Sequence, residues 1–173
     1  MKIILIITLI LMIGLAGCKD KGPATAKTEP ANATSPVPMS SSAAVVKVRT
    51  GPVTIAPGEQ IDATITLSIT SGFHVNANPA TFSYLIPTEV TAEGSPQLSV
   101  ARTIYPAAQT RKFQFAEKPL AVYEGDTQIK LPLSAKAGAV STSIPIKVRV
   151  QACDNEQCFP PATLNTTLAI NVK

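Results

Sequence analysis

Two cysteines lie close together near the C-terminal end of the chain, in Cys153-Asp154-Asn155-Glu156-Gln157-Cys158-Phe159-Pro160-Pro161, and a third, Cys18, stands near the N-terminus. The close pair can form a disulfide if the intervening segment turns back, since the bond requires Cα atoms about 4.4 to 6.8 Å apart. Such a bond can also be reopened when an outside thiolate attacks one sulfur and the other departs. For a loop of about six residues, chain entropy gives about 2 kcal/mol, against about 4.7 for a loop of 100. A bridge serving stability alone would do better joining distant strands. Exported proteins nevertheless commonly keep their cysteines oxidised, so the spacing leaves both a structural staple and an exchange reagent open. Asp154 and Glu156 lie between the cysteines and no Lys or Arg does, a field that disfavours a thiolate. The pair should attack poorly by itself, and either a low-pKa partner thiolate opens the disulfide or the reduced pair acts only when docked.

Little else in the chain suggests chemistry. His74 is the only histidine, so neither a histidine-based metal cluster nor a Ser/His/Asp triad can be assembled. No metal and no cofactor are expected, and His74 reads as a packing residue in the turn before Pro79. A copper carrier would recruit His74, Met39 and the thiols, but Met39 falls in a segment read below as a tether. Phe73, Phe82, Tyr84, Phe113 and Phe115 read most simply as core or edge aromatics. Phe73, His74, Tyr84, Phe115 and Phe159 are the candidates to shield or surround the cysteines.

The N-terminus says where the chain goes. Lys2, a strongly apolar run from Ile3 to Ile13 and the small-residue exit Gly14-Leu15-Ala16-Gly17-Cys18 have the pattern of a secretory signal. The run is too short for a membrane-spanning helix, which needs about 20 apolar residues. Leu15-Ala16-Gly17-Cys18 resembles the bacterial lipobox, which implies cleavage of residues 1–17 and acylation of Cys18. Lys19 in the following position leans the sorting towards the outer membrane. Residues 18–43, rich in Lys, Thr, Pro, Ala and Ser, have too few large apolar groups to offset the entropy of ordering, and read as a flexible, lipid-anchored linker. Removing the signal takes Lys2 from the fifteen basic residues and leaves fourteen against eleven acidic ones, a balance of about +3. No long basic run or interleaved aromatic stripe accompanies that charge, so nucleic acid is not an expected partner. The sequons at Asn32 and Asn165 should carry no sugar in a bacterium.

Residues 44–173 have the size of one domain, and their dominant period is two. Ile61, Ala63, Ile65, Leu67 and Ile69 alternate with polar residues, as do Ile129, Leu131 and Leu133, then Ile144, Ile146, Val148 and Val150, then Leu164, Leu168, Ile170 and Val172. One face of each strand should pack inward. Shorter β-prone runs lie at 45–49, 82–86, 97–103 and 111–115, with turn markers such as Pro57-Gly58, Ser71-Gly72 and Glu124-Gly125 between elements. The expected fold is all-β, an immunoglobulin-like antiparallel β-sandwich of seven to nine strands. With even-numbered residues of 144–152 inward, Cys153 is expected on the outward face or just past the strand end. Pro160 and Pro161 should delay the next strand to about Thr163.

Val150 to Pro161, together with Gly72-Phe73-His74-Val75-Asn76-Ala77-Asn78-Pro79, Leu85-Ile86-Pro87-Thr88 and the stretch from Tyr105-Pro106 to Tyr123-Glu124-Gly125, resemble the N-terminal periplasmic domain of the thiol:disulfide interchange protein DsbD and its free-standing relatives. The resemblance spans most of residues 50–173, with the cysteine-to-diproline segment its most specific part. It implies that Cys153 and Cys158 are a redox pair relaying electrons from a membrane thiol reductase to thioredoxin-like periplasmic oxidoreductases. Cys158 would form the mixed disulfide with partners. The transmembrane and thioredoxin-like portions of full-length DsbD have no counterpart here and would be supplied in trans. An aromatic cap loop of the family corresponds to Phe115-Ala116-Glu117-Lys118-Pro119, in which Phe115 is the only aromatic. The competing reading is a non-catalytic immunoglobulin-like binding or scaffold lipoprotein whose disulfide pins a loop.

Overall fold

Period-two patterning resolves into twelve short strands in a computed structural model that describes residues 41–173. The signal at 1–17, Cys18, Met39 and the linker up to residue 40 lie outside the described residues. In chain order, a four-residue helix α1 (Ser42–Val45) precedes β1 (Val46–Thr50), β2 (Val53–Ile55), β3 (Gln60–Ile69), β4 (His74–Asn76), β5 (Glu89–Ala92) and β6 (Leu98–Val100). Then follow β7 (Gln109–Arg111), β8 (Leu120–Tyr123), β9 (Asp126–Ala135), β10 (Thr142–Val150), β11 (Ala152–Cys153) and β12 (Ala162–Val172). They form three four-stranded sheets with orders β1-β3-β9-β6, β2-β12-β10-β5 and β11-β4-β8-β7. Strand pairs are antiparallel except β2 against β12. The fold is an immunoglobulin-like β-sandwich, with more strands than the seven to nine expected because irregular steps such as that at Gln151 divide runs that the pattern reads as continuous.

The first two sheets share one apolar core. Ala63, Ile65 and Leu67 of β3, Ile129, Leu131 and Leu133 of β9, Ile146, Val148 and Val150 of β10, and Leu168 and Ile170 of β12 are buried in a single cluster. Burying a Leu or Ile side chain is worth about 1.5–3 kcal/mol, so these long alternating strands carry the stability of the domain. No helix among the described residues is long and apolar enough to cross a membrane.

Several local expectations are corrected. Residues 82–86 form a turn, closed by the Leu85 N–H on the Phe82 carbonyl at 3.1 Å, rather than a strand. Pro79 and Pro87 lie on either side, and neither can donate to a ladder. At 111–115 the strand ends at Arg111, and the chain leaves the sheet through Lys112. Ser42 and Ala43, assigned by composition to the linker, lie in α1, where Ser42 is fully buried.

The third sheet is what positions the cysteines. After β10, the chain steps at Gln151 out of the second sheet, and β11 pairs instead with β4, in register Ala152↔Val75 and Cys153↔His74. Gly72 holds φ +85° in the turn entering β4, a conformation that favours glycine. The Phe73 N–H closes that turn on the Thr70 carbonyl at 3.1 Å.

Candidate functional site

Cys153 and Cys158 are joined, with an S–S distance of 1.99 Å and Cα atoms 3.9 Å apart. They stand closer than the expected range because they form a direct antiparallel bridge rather than the ends of an open loop. The segment between them is a tight turn. Asp154 donates its N–H to the Gln157 carbonyl at 2.9 Å, and its Oδ1 accepts the N–H groups of Glu156 and Gln157, each at 2.8 Å. Those two bonds hold the Asp154 carboxyl below its ordinary pKa, so the acidic group is also the clasp of the turn.

The two sulfurs differ in exposure. Cys153 is fully buried, past the end of β10 rather than on its outward face, and it belongs to β11, one sheet over. Cys158 is half-buried and borders a recess of about 320 Å³ with Tyr84, Leu85, Phe115, Ala116, Leu120, Gln151 and Gln157. Tyr84 is 74% exposed and Phe115 37%, so aromatic rings stand at the mouth of the recess.

Both flanks of the pair are fastened to the sandwich. The Phe159 N–H donates to the Ala152 carbonyl at 2.8 Å. Ser42 Oγ donates to the Pro160 carbonyl at 2.7 Å and accepts the Ala152 N–H at 2.9 Å. Gln151 Oε1 accepts from Asn76 Nδ2 and from the Ile86 N–H, both at 3.3 Å. This ties β4, the 82–86 turn and the wall beside Cys158 together.

His74 lies in β4 rather than in a turn. It is 2% exposed, directly across the strand pair from Cys153. Its ring stacks on Phe113 at 3.9 Å between centroids, and Phe113 lies 5.6 Å from Phe115. Burial pushes the imidazole pKa down, against the opposing pull of the Glu124 and Asp154 carboxylates. Nε2 has no hydrogen-bond partner. A second recess, also about 320 Å³, is lined by His74, Phe73, Phe113, Glu124 and Asn155 among others.

Of the residues singled out from the sequence, Tyr84 and Phe115 therefore meet at Cys158, and His74 stands opposite Cys153 in the strand register. Phe73 and Phe159 pack on each other, with centroids 5.7 Å apart, and so brace the base of the turn without entering the Cys158 recess. Sequence reasoning missed Phe113, Gln151, Leu85 and Ser42 as parts of the site. The i, i+2 spacing of Phe113 and Phe115 was the signal for the first. Gln151 and Leu85 fall within the motifs that carry the family resemblance but have no mark of their own, and nothing local marks Ser42, whose partners are more than 100 residues away. Among the described residues no group of three or more His, Cys, Asp or Glu is gathered to hold a metal ion.

Residues 42–170 match the family described as thiol:disulfide interchange protein DsbD, N-terminal. Among solved structures, the chain is similar to the Neisseria meningitidis DsbD N-terminal domain in the reduced form, with 14% identity over 64% of this chain and 78% of that one, at a TM-score of 0.42. It is also similar to a cohesin module from a Clostridium perfringens family 33 glycoside hydrolase, with 10% identity over 75% of this chain and 98% of the other, at a TM-score of 0.45. No curated protein matches.

Proposed function

The chain belongs to the family of the DsbD N-terminal domain, and from that premise we propose that it is a periplasmic thiol:disulfide exchange module in which Cys153 and Cys158 cycle between disulfide and dithiol. The observation that carries this reading is the asymmetry of the bridge. One sulfur belongs to a residue at the edge of an aromatic recess and the other to a residue in the packed interior. Exchange requires an incoming thiolate to approach along the S–S axis, and only the Cys158 side offers an approach.

In the reducing half-cycle, a donor thiolate attacks Cys158 Sγ and the electron pair of the S–S bond passes to Cys153 Sγ, which is protonated. A second donor thiol then attacks the mixed disulfide, leaving both cysteines reduced and the donor oxidised. In the oxidising half-cycle, Cys158 attacks the disulfide of an acceptor, and Cys153 then attacks Cys158 to expel the reduced acceptor. Two electrons move in each half-cycle. The donor would be a membrane thiol reductase in trans, and the acceptors thioredoxin-like oxidoreductases. Asp154 and Glu156 at the turn disfavour a free thiolate here, so the low-pKa thiolate comes from the partner. Tyr84 and Phe115 stand at the rim of the Cys158 recess, where a docking partner would meet them. Acylated Cys18 and the linker after it would hold the domain at the membrane, in the outer membrane by the leaning of Lys19.

Cys153→Ser leaves Cys158 free to hold a partner covalently. The variant should accumulate mixed disulfides with thioredoxin-like proteins in periplasm, and the wild-type bond should have a reduction potential above about −300 mV, the level below which structural disulfides usually lie. Failure to trap such a partner, with a potential below that level, would establish the scaffold reading instead.

A further inference from the structure

Buried polar atoms nearly always find a hydrogen-bond partner, yet His74 Nε2 has none. The cross-strand register supplies an explanation. Residues directly opposite in an antiparallel pair have Cβ atoms about 4.5–5.5 Å apart and side chains on the same face, and the residue opposite His74 is Cys153. In the disulfide state Cys153 has no hydrogen to donate. On reduction it gains an S–H on the strand face that it shares with the imidazole.

We infer that His74 is the proton acceptor for Cys153 when that buried thiol closes the disulfide. The inference rests on the exchange reading of the pair. In the closing step, Cys153 Sγ forms a bond to Cys158 Sγ while the bond from Cys158 to the partner's sulfur breaks. The electron pair of that bond leaves on the partner's thiolate, and the thiol proton of Cys153 passes to His74. In the reverse step His74 returns the proton to Cys153 as the bridge opens. Without such an acceptor, a thiol in apolar surroundings is held protonated and would attack slowly.

The charges around the ring fit this role. Burial favours neutral imidazole, the form able to accept a proton, while Glu124 and Asp154 both favour the imidazolium once formed. Arg111 pairs with Glu124 at 2.9 Å and tempers the pull of that carboxylate, while Lys112 Nζ is held by the carbonyls of Ala116 and Glu117. Phe113 covers one face of the ring. The second recess borders His74 and shares no lining residue with the recess at Cys158. A partner seated over Cys158 therefore does not cover the recess on the His74 side.

The test uses the reduced full-length chain in detergent micelles and Ellman's reagent, which releases one thionitrobenzoate when Cys158 reacts and a second when Cys153 closes the bridge. For wild type, the rate of the second release should level off above an inflection below about pH 6.5, the ordinary histidine value. In His74→Phe, which keeps a ring against Phe113, that inflection should vanish, the rate should rise instead through about pH 8.5 or higher, and at pH 7 it should fall about 100-fold, the lower end of general-base contributions. His74→Phe closing the bridge at the wild-type rate with the wild-type pH profile would overturn the inference while leaving the exchange reading intact. No first release from wild type at any pH would instead remove the exchange reading. Should His74→Phe fail to fold, the ring nitrogen shifts of His74 in ¹⁵N-labelled wild type decide the matter: Nε2 should shift on reduction of the disulfide, and an unchanged signal would overturn the proposal.

Discussion

At the scale of single residues, the site is built on two groups whose environments pull them apart. Cys158 borders a recess and Cys153 is sealed beneath it. The close pair was readable in the chain, although its spacing left a staple and an exchange reagent both open, and only the family resemblance pointed to exchange. The partner of Cys153 was not, since His74 carries no local mark of its register. Burial of that imidazole makes a stability prediction of its own. Its pKa is lower in the folded state than in the unfolded chain, so between the two values the unfolded chain binds more protons and stability rises with pH. The contribution is complete above about pH 6.5, the unfolded value, and is lost progressively as pH falls below it. The urea midpoint should therefore hold between pH 7 and 8 and drop at pH 5, and the drop should shrink in His74→Phe. Asp154 does not confuse the comparison. Its lowered pKa makes a contribution that is lost only below about pH 3.9.

At the scale of elements, the long strands β3, β9, β10 and β12 follow from alternation that continues for nine to eleven residues. The errors fell on short β-prone runs. β-propensity measures fit to a half-buried pleated surface rather than a backbone preference; Tyr84, Phe113 and Phe115 use their rings to line recesses, and Phe82 stacks on Tyr84 with centroids 5.2 Å apart, instead of joining a ladder. The α1 turn is the element whose role the composition hid, because a serine among Ser and Ala residues looks like linker. Ser42 bridges the strand before Cys153 and the diproline after Cys158 through its hydroxyl. Ser42→Ala leaves the Ala152 N–H without its partner and takes from the Pro160 carbonyl one of two donors, the backbone N–H of residue 42 remaining at 3.4 Å, and should destabilise the domain by about 1–3 kcal/mol in urea unfolding. It should also speed reduction of the disulfide by dithiothreitol, as both flanks of the turn are loosened. An unchanged unfolding midpoint would mean that water replaces the hydroxyl without loss.

At the scale of the whole molecule, the proposal is a sandwich held at a membrane by a lipid on Cys18, with its exchange site at the end of a third small sheet. Cys18→Ser should release the full-length chain from the membrane pellet into the soluble periplasmic fraction while leaving disulfide exchange in solution intact. Retention in the pellet would sink the anchoring reading. The sequence by itself determined the β class and the closeness of the two cysteines, since each is written in local spacing: period two and a short cysteine interval. Only the tertiary structure decided which sulfur is buried and what stands beside it. Alternation fixes the inward face of a strand but not which strand will lie alongside it. The step at Gln151 from one sheet to another, which carries Cys153 to His74, is set by packing between segments far apart along the chain.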